Sequence, residues 1–168
     1  MSYLLLDNKT RKRSIDNAIQ NLKSFSKEFT HICVTGNSGV LILDRLCYAL
    51  NKEPIIIRKK LESSHNKNLI DGDFWLNAQA LFVDDFIDYG NTLSRVGIEL
   101  NKIGVNLVGI YLYNQLGKPE YLMDSVEYLN HNVKFALSET HIYFNKIKNG
   151  GVKNVSVGGY GNRRNRTR

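Results

Sequence analysis

Ala80-Leu81-Phe82-Val83-Asp84-Asp85-Phe86-Ile87-Asp88-Tyr89-Gly90-Asn91-Thr92-Leu93 is the stretch on which the fold turns. It opens with four apolar residues, a length that suits a buried strand, and two adjacent acids close the run. A glycine-containing turn then leads to Leu93, Val96, Leu100 and Ile103, spaced as one face of a helix. A strand that passes through such a turn into a helix exposes backbone N–H groups beside the positive end of the helix dipole. That geometry suits a phosphate, and Thr92 adds a hydroxyl donor. Adjacent carboxylates would repel a phosphate they faced, so Asp84 and Asp85 suit sugar hydroxyls or a cation.

The same alternation of strand and helix runs through the rest of the body. Upstream, Ile15, Ala18, Ile19, Leu22, Phe25 and Phe29 recur at helical spacing behind Ser14, which reads as the N-cap. His31 to Thr35 reads as a strand, Gly36-Asn37-Ser38-Gly39 as a turn, and Val40 to Leu50 as a helix packed into a sheet. Pro54-Ile55-Ile56-Ile57 reads as a buried strand that delivers Arg58-Lys59-Lys60 at its end. Leu61 to Asn77 is polar and without period, and reads as a long loop holding His65. Downstream, Val105 to Tyr113 is a strand, Pro119 to Leu129 a helix and Val133 to Leu137 a last short strand. The order predicts an α/β domain built from right-handed βαβ units, with a mainly parallel sheet and helices on both faces.

The chain has 168 residues, with 42% hydrophobic and 23% charged, the make-up of one ordinary globular domain rather than a disordered or fibrous chain. Its longest apolar runs fall far short of the ~20 residues that a bilayer span needs, so no membrane is expected. The N-terminal MSYLLLDNKTRKR places a short apolar stretch before its basic cluster, the reverse of the secretory order, and a cytoplasmic location is the expectation. Cys33 and Cys47 lie in apolar segments without metal spacing and read as buried thiols in a reducing compartment. His31, His131 and His141 likewise show no metal-binding pattern.

The net charge is +7, but Lys153, Arg163, Arg164, Arg166 and Arg168 carry five of those charges, with no acid after Lys153; the body is left at +2. Residues 153–168 therefore read as a basic Gly/Arg-rich tail, expected to be mobile, following a domain at 1–152. A solvated end and a contact to RNA or DNA are both open readings of it.

Ligands of open parallel sheets bind beyond the carboxyl ends of the strands. Here those ends carry Gly36-Asn37-Ser38-Gly39, Arg58-Lys59-Lys60 and Asp84-Asp85 with the turn after them, which together describe a site for a phosphorylated sugar. Taken singly each has a plainer reading: strand-end acids cap helices, basic strand ends are solvated, and a His in a polar loop faces water.

LFVDDFIDYGNTL, residues 81 to 93, resembles the phosphoribosyl pyrophosphate (PRPP) binding motif of type I phosphoribosyltransferases. The glycine turn at 36–39 resembles that family's pyrophosphate loop, and IIIRKK resembles the strand-end basic cluster of the adenine and orotate enzymes. The resemblance, over roughly residues 30 to 114, implies a PRPP-dependent enzyme. It would form a nucleoside 5′-monophosphate from a nitrogenous base and release pyrophosphate.

Asp84 and Asp85 would hold the ribose hydroxyls, and Asp88, Tyr89, Gly90, Asn91 and Thr92 the 5′-phosphate. Thr35, Gly36, Asn37, Ser38, Gly39, Arg58, Lys59 and Lys60 would bind the pyrophosphate. Mg²⁺ would be held mainly by PRPP, with Asp84 or Asp85 as its protein contact. Asp88 would assist proton transfer at the base, and His65 would act from a closing loop. A small hood from the N- and C-terminal segments and a homodimer are also implied. Tyr89 stands where the family has a small residue, and no base-recognition pattern is present, so the acceptor is open. A regulator on the same fold, sensing PRPP or binding RNA or DNA without turnover, is the alternative.

Overall fold

Seven strands form one sheet in the order β3-β2-β1-β4-β5-β6-β7 in the computed structural model of the chain. The structure describes residues 7–58, 69–113, 119–129 and 131–147; Lys59, Lys60, His65 and the basic tail at 153–168 lie outside the described residues. In chain order the elements are α1 (Asn8–Leu22), β1 (His31–Thr35), α2 (Gly36–Leu50), β2 (Glu53–Ile57), β3 (Ile70–Asp71) and β4 (Gln79–Asp84). They continue as α3 (Asn91–Lys102), β5 (Asn106–Leu112), α4 (Pro119–Tyr128), β6 (Phe135–Ser138) and β7 (Ile142–Asn145). β2, β1, β4, β5 and β6 are parallel, whereas the edge strands β3 and β7 run antiparallel to their neighbours.

Period-two alternation divides the core between the two faces of the sheet. On one face Val34, Leu81 and Val83 meet Ile15, Ala18 and Leu22 of α1 and Ile42 and Leu46 of α2. On the other, Cys33, Ile55, Ile57 and Phe82 meet Leu93, Val96 and Leu100 of α3 and Leu122 and Val126 of α4. β1 and most of β4 are buried throughout, which is why both read as unbroken apolar runs. Both cysteines are free and buried, and burial pushes their thiols up, that of Cys47 to about 12, so neither is a thiolate at neutral pH.

Four local expectations change. The first helix starts at Asn8, six residues before Ser14, because the Asp7 carboxylate accepts from the Thr10 backbone N–H at 2.7 Å. Ser14 is buried inside that helix. α2 begins at Gly36, so residues 36 to 39 are its first turn and not a separate loop. Gly39 answers to packing: a Cβ there would stand 2.6 Å from that of Val34, so only glycine lets α2 lie this close on β1. Within the expected loop of 61–77, Ile70–Asp71 pairs with β2, and after β6 the chain turns back as β7. Of the segments expected to build a hood, α1 packs beside α2 on the sheet and β7 extends its edge.

From β1 the chain crosses through α2 to β2 on one side, and from β4 through α3 to β5 on the other. The carboxyl ends of β1 and β4 therefore flank the switch in strand order, where an open α/β sheet leaves a crevice.

Candidate functional site

β1, β2, β4 and β5 end along one edge and set four groups side by side: Thr35 with the start of α2, Arg58, Asp84-Asp85, and Tyr113. Parallel pairing enforces this, since Thr35 is in register with Ile57 and Asp84 with Leu112. Asp84 and Asp85 are largely buried, at 7% and 9% exposure. An Asp84 carboxylate oxygen accepts from the Asp85 backbone N–H at 2.9 Å, and one of Asp85 accepts from the Phe86 N–H at 3.1 Å. These bonds orient both carboxylates at the strand end.

Two helices open toward this edge without a side-chain cap. α2 follows Thr35 directly and α3 follows Gly90, and neither N-cap residue makes a side-chain hydrogen bond to its helix. Gly90 has φ 77°, a left-handed conformation that turns the chain sharply into α3. The first N–H groups of both helices thus lack an intrahelical partner, and each helix presents the positive end of its dipole. Asn37 is exposed and Ser38 half-buried on the first turn of α2, while Asp88, Asn91 and Thr92 are exposed around the start of α3. Tyr89 does not obstruct that turn: it is 62% exposed, and its ring lies 5.5 Å from that of Tyr121 on α4.

Arg95, which sequence reasoning passed over, ties the strand ends together. From the second turn of α3 its guanidinium donates to the Arg58 carbonyl and to the Thr35 hydroxyl, both at 2.8 Å. The Thr35 hydroxyl in turn donates to the Ile57 carbonyl at 2.8 Å, so Thr35 braces the edge with its proton already committed. The Arg58 side chain pairs with Asp71 of β3. Spacing alone makes Arg95 one more basic residue on a helix; only the register of β1 and β2 beneath α3 reveals its reach.

Tyr113, the residue after β5, completes the edge. Its backbone N–H donates to the Asp84 carbonyl at 3.1 Å, and the residue is 4% exposed. Burial, with the charges of Asp85 and Asp84 beside it, pushes the phenol far above its ordinary value, so it stays protonated.

No family model and no curated protein matches the chain. Solved structures do. An orotate phosphoribosyltransferase from Aeropyrum pernix aligns over 83% of this chain and 75% of its own, with TM-score 0.65 and 14% identity. The chain has the type I phosphoribosyltransferase fold. An adenine phosphoribosyltransferase from Saccharomyces cerevisiae superposes on this phosphoribosyltransferase-like domain with TM-score 0.62 and 16% identity, covering 81% and 82% of the two chains. That from Trypanosoma brucei, solved with AMP, pyrophosphate and ribose-5-phosphate, gives 0.62 and 19% over 82% and 68%.

Proposed function

We propose that the protein is a PRPP-dependent phosphoribosyltransferase that joins C1 of the ribose to a nitrogen of a base and releases pyrophosphate. The observation that carries this reading is the placing of the two buried acids between two uncapped helix starts, at the switch point of a phosphoribosyltransferase fold. A phosphorylated sugar diphosphate has that order of groups: a phosphate, hydroxyls and a diphosphate. In this reading Asp84 and Asp85 accept from the ribose hydroxyls. The backbone at Gly90, Asn91 and Thr92 takes the 5′-phosphate, with Asp88 and Tyr89 framing the turn. Gly36, Asn37, Ser38 and Gly39 offer the α2 dipole to the diphosphate, and Thr35 and Arg95 hold that end of the sheet in register. Arg58, Lys59 and Lys60 supply positive charge, and His65 acts from the segment after them.

Bond cleavage at C1 leaves a ribosyl group of oxocarbenium character while negative charge grows on pyrophosphate, so the chain works by electrostatics and needs no nucleophile. Asp88 serves as the base that receives the proton of the attacking nitrogen. Among the described residues no group of three or more His, Cys, Asp or Glu side chains is placed to hold a metal. A Mg²⁺ ion fits this site as a companion of the diphosphate, touching the protein through Asp84 or Asp85, and it would neutralise the leaving group. A homodimer and a cytoplasmic setting belong to the same proposal. No described helix is long and apolar enough to cross a membrane.

The test incubates the full chain with labelled PRPP, Mg²⁺ and a panel of purines, pyrimidines and pyridines. Pyrophosphate release with one of them is the expected result. Binding of PRPP with no release from any would transfer the reading to a PRPP-sensing regulator, and the absence of binding would overturn it.

A further inference from the structure

α2 spends one face on the core and turns the other to solvent. Ile42, Leu43, Leu46 and Cys47 are buried in the cluster that α2 shares with α1 and the sheet. Away from them lie Val40, Leu41, Asp44, Arg45, Tyr48 and Ala49, all exposed. They recur three and four residues apart, so they form a single stripe along the helix. Tyr48 is 90% exposed, Val40 44% and Leu41 41%, which gathers apolar surface on one stripe where single exposed residues would need no explanation. Asp44 and Arg45 sit at its centre, and among the described residues neither makes an ion pair. Outward from that central pair come Leu41 on one side and Tyr48 on the other, then Val40 and Ala49. The stripe is therefore apolar at both ends, with one acid and one base at its midpoint.

We infer that this face of α2 is a self-association surface, on which a second copy of the chain lays its own α2 antiparallel about a two-fold axis. The axis passes between Asp44 and Arg45. Asp44 then meets Arg45 of the partner subunit, and symmetry forms the reverse pair beside it. Leu41 meets Tyr48 of the partner subunit and Val40 meets Ala49 of the partner subunit, so apolar groups cover apolar groups while each charge finds its opposite. A parallel pairing would instead set acid against acid and base against base, an arrangement that like-charge repulsion disfavours. Tyr48 suits the role, since interfaces are enriched in tyrosine. The inference deepens the homodimer proposed above, which named no surface, and it draws on residues outside the site's chemistry.

Charge reversal tests the surface in the full chain, by sedimentation velocity over a range of micromolar concentrations. Asp44→Arg makes the centre of the stripe wholly basic and Arg45→Asp makes it wholly acidic, both at exposed positions where the core is untouched. The wild type should sediment as a dimer. Each variant alone should associate at least about tenfold more weakly, because like charges then face each other across the axis. An equimolar mixture of the two variants should recover the dimer, since every pair across the axis is again of opposite sign, and this recovery also shows that both variants fold. Undiminished dimers from both variants would overturn the inference and move the homodimer to another face. Variants that stay monomeric when mixed would overturn the antiparallel pairing. A wild type monomeric throughout would overturn the surface and the homodimer together, while pyrophosphate release from labelled PRPP still decides the proposed reaction separately.

Discussion

The two ends of the parallel strands have been finished differently. At the amino edge the chain closes its own hydrogen bonds. Thr30 N–H donates to the Gln79 carbonyl at 2.8 Å, Asn106 N–H to the Ala78 carbonyl at 2.8 Å, and Asn77 N–H to the Gly104 carbonyl at 2.7 Å. His31, fully buried there, has Thr30 Oγ1 2.8 Å from Nδ1 and the Asp73 carbonyl 3.1 Å from Nε2, with the Trp75 ring set edge-on at 4.4 Å. At the carboxyl edge two helices start without a side-chain cap, and two acids are buried side by side with a phenol beside them. Under the proposed function, the polar groups left open at this end are the ones that a bound ligand would satisfy.

That contrast is sharpest at Asp88, where the expected effect is largest. Asp88 is exposed on the turn into α3, and the proposal gives it the proton of the incoming base. Asp88→Asn should lower turnover by about 10² to 10⁴, the usual contribution of a general base, with PRPP affinity within a few fold. Single-turnover kinetics beside calorimetry separates the two quantities. If PRPP binding collapses while turnover per bound substrate persists, Asp88 belongs to ground-state binding.

Next come the buried acids. Asp84→Asn and Asp85→Asn keep the shape and one acceptor but lose charge-assisted bonds to the ribose worth about 1.5–3 kcal/mol each. PRPP affinity should drop roughly tenfold to a hundredfold. Normal PRPP binding in both variants would show that this edge is not the ribose site.

Arg95 tests whether the carboxyl edge has a frame of its own. Arg95→Met keeps the length of the stem and removes donors from the Arg58 carbonyl and the Thr35 hydroxyl. Loss of those charged bonds should reduce stability by about 1–3 kcal/mol, read from the urea midpoint at constant slope. An unchanged midpoint would make the edge self-supporting.

The same contrast explains what could be read in advance. β1, β4 and β5 were legible because strands buried on both faces write continuous apolar runs, HICV, ALFV and VGIYL, and β2 because PIII is a β-branched run, although Pro54 is exposed and Ile56 half-buried. The crevice was legible because its acids and glycines sit at the ends of those runs. What escaped has no local signature. β3 is two residues long and exists by pairing with β2. The first turns of α1, Asn8 to Arg13, carry no apolar residue, so periodicity cannot see them. Gly39 reads as part of a turn and serves as a contact surface for Val34. Arg95 and Tyr113 act through neighbours far away in sequence, and such partners become visible only with the sheet order.

The smallest expected effect lies at the amino edge, in His31. Its neutral form suits its surroundings: with the proton on Nε2, that nitrogen donates to the Asp73 carbonyl and Nδ1 accepts from the Thr30 hydroxyl. Burial holds its pKa below the ordinary 6.5, outweighing the Asp73 carbonyl and the Glu53 charge, which pull the other way. The unfolded chain therefore binds a proton more readily than the folded one as pH falls below 6.5. His31 thus contributes fully to stability above that pH and loses its contribution below it, down to the depressed folded value. His31→Gln replaces the ring with an amide that does not titrate. The variant should start less stable at pH 8, because a well-packed ring is lost, yet show a shallower decline between pH 6.5 and 5 than the wild type. Urea midpoints at several pH values measure both slopes. Parallel slopes would mean that His31 takes up its proton in the folded chain as easily as in the unfolded one, and that the closed edge is more open to water than its hydrogen bonds imply.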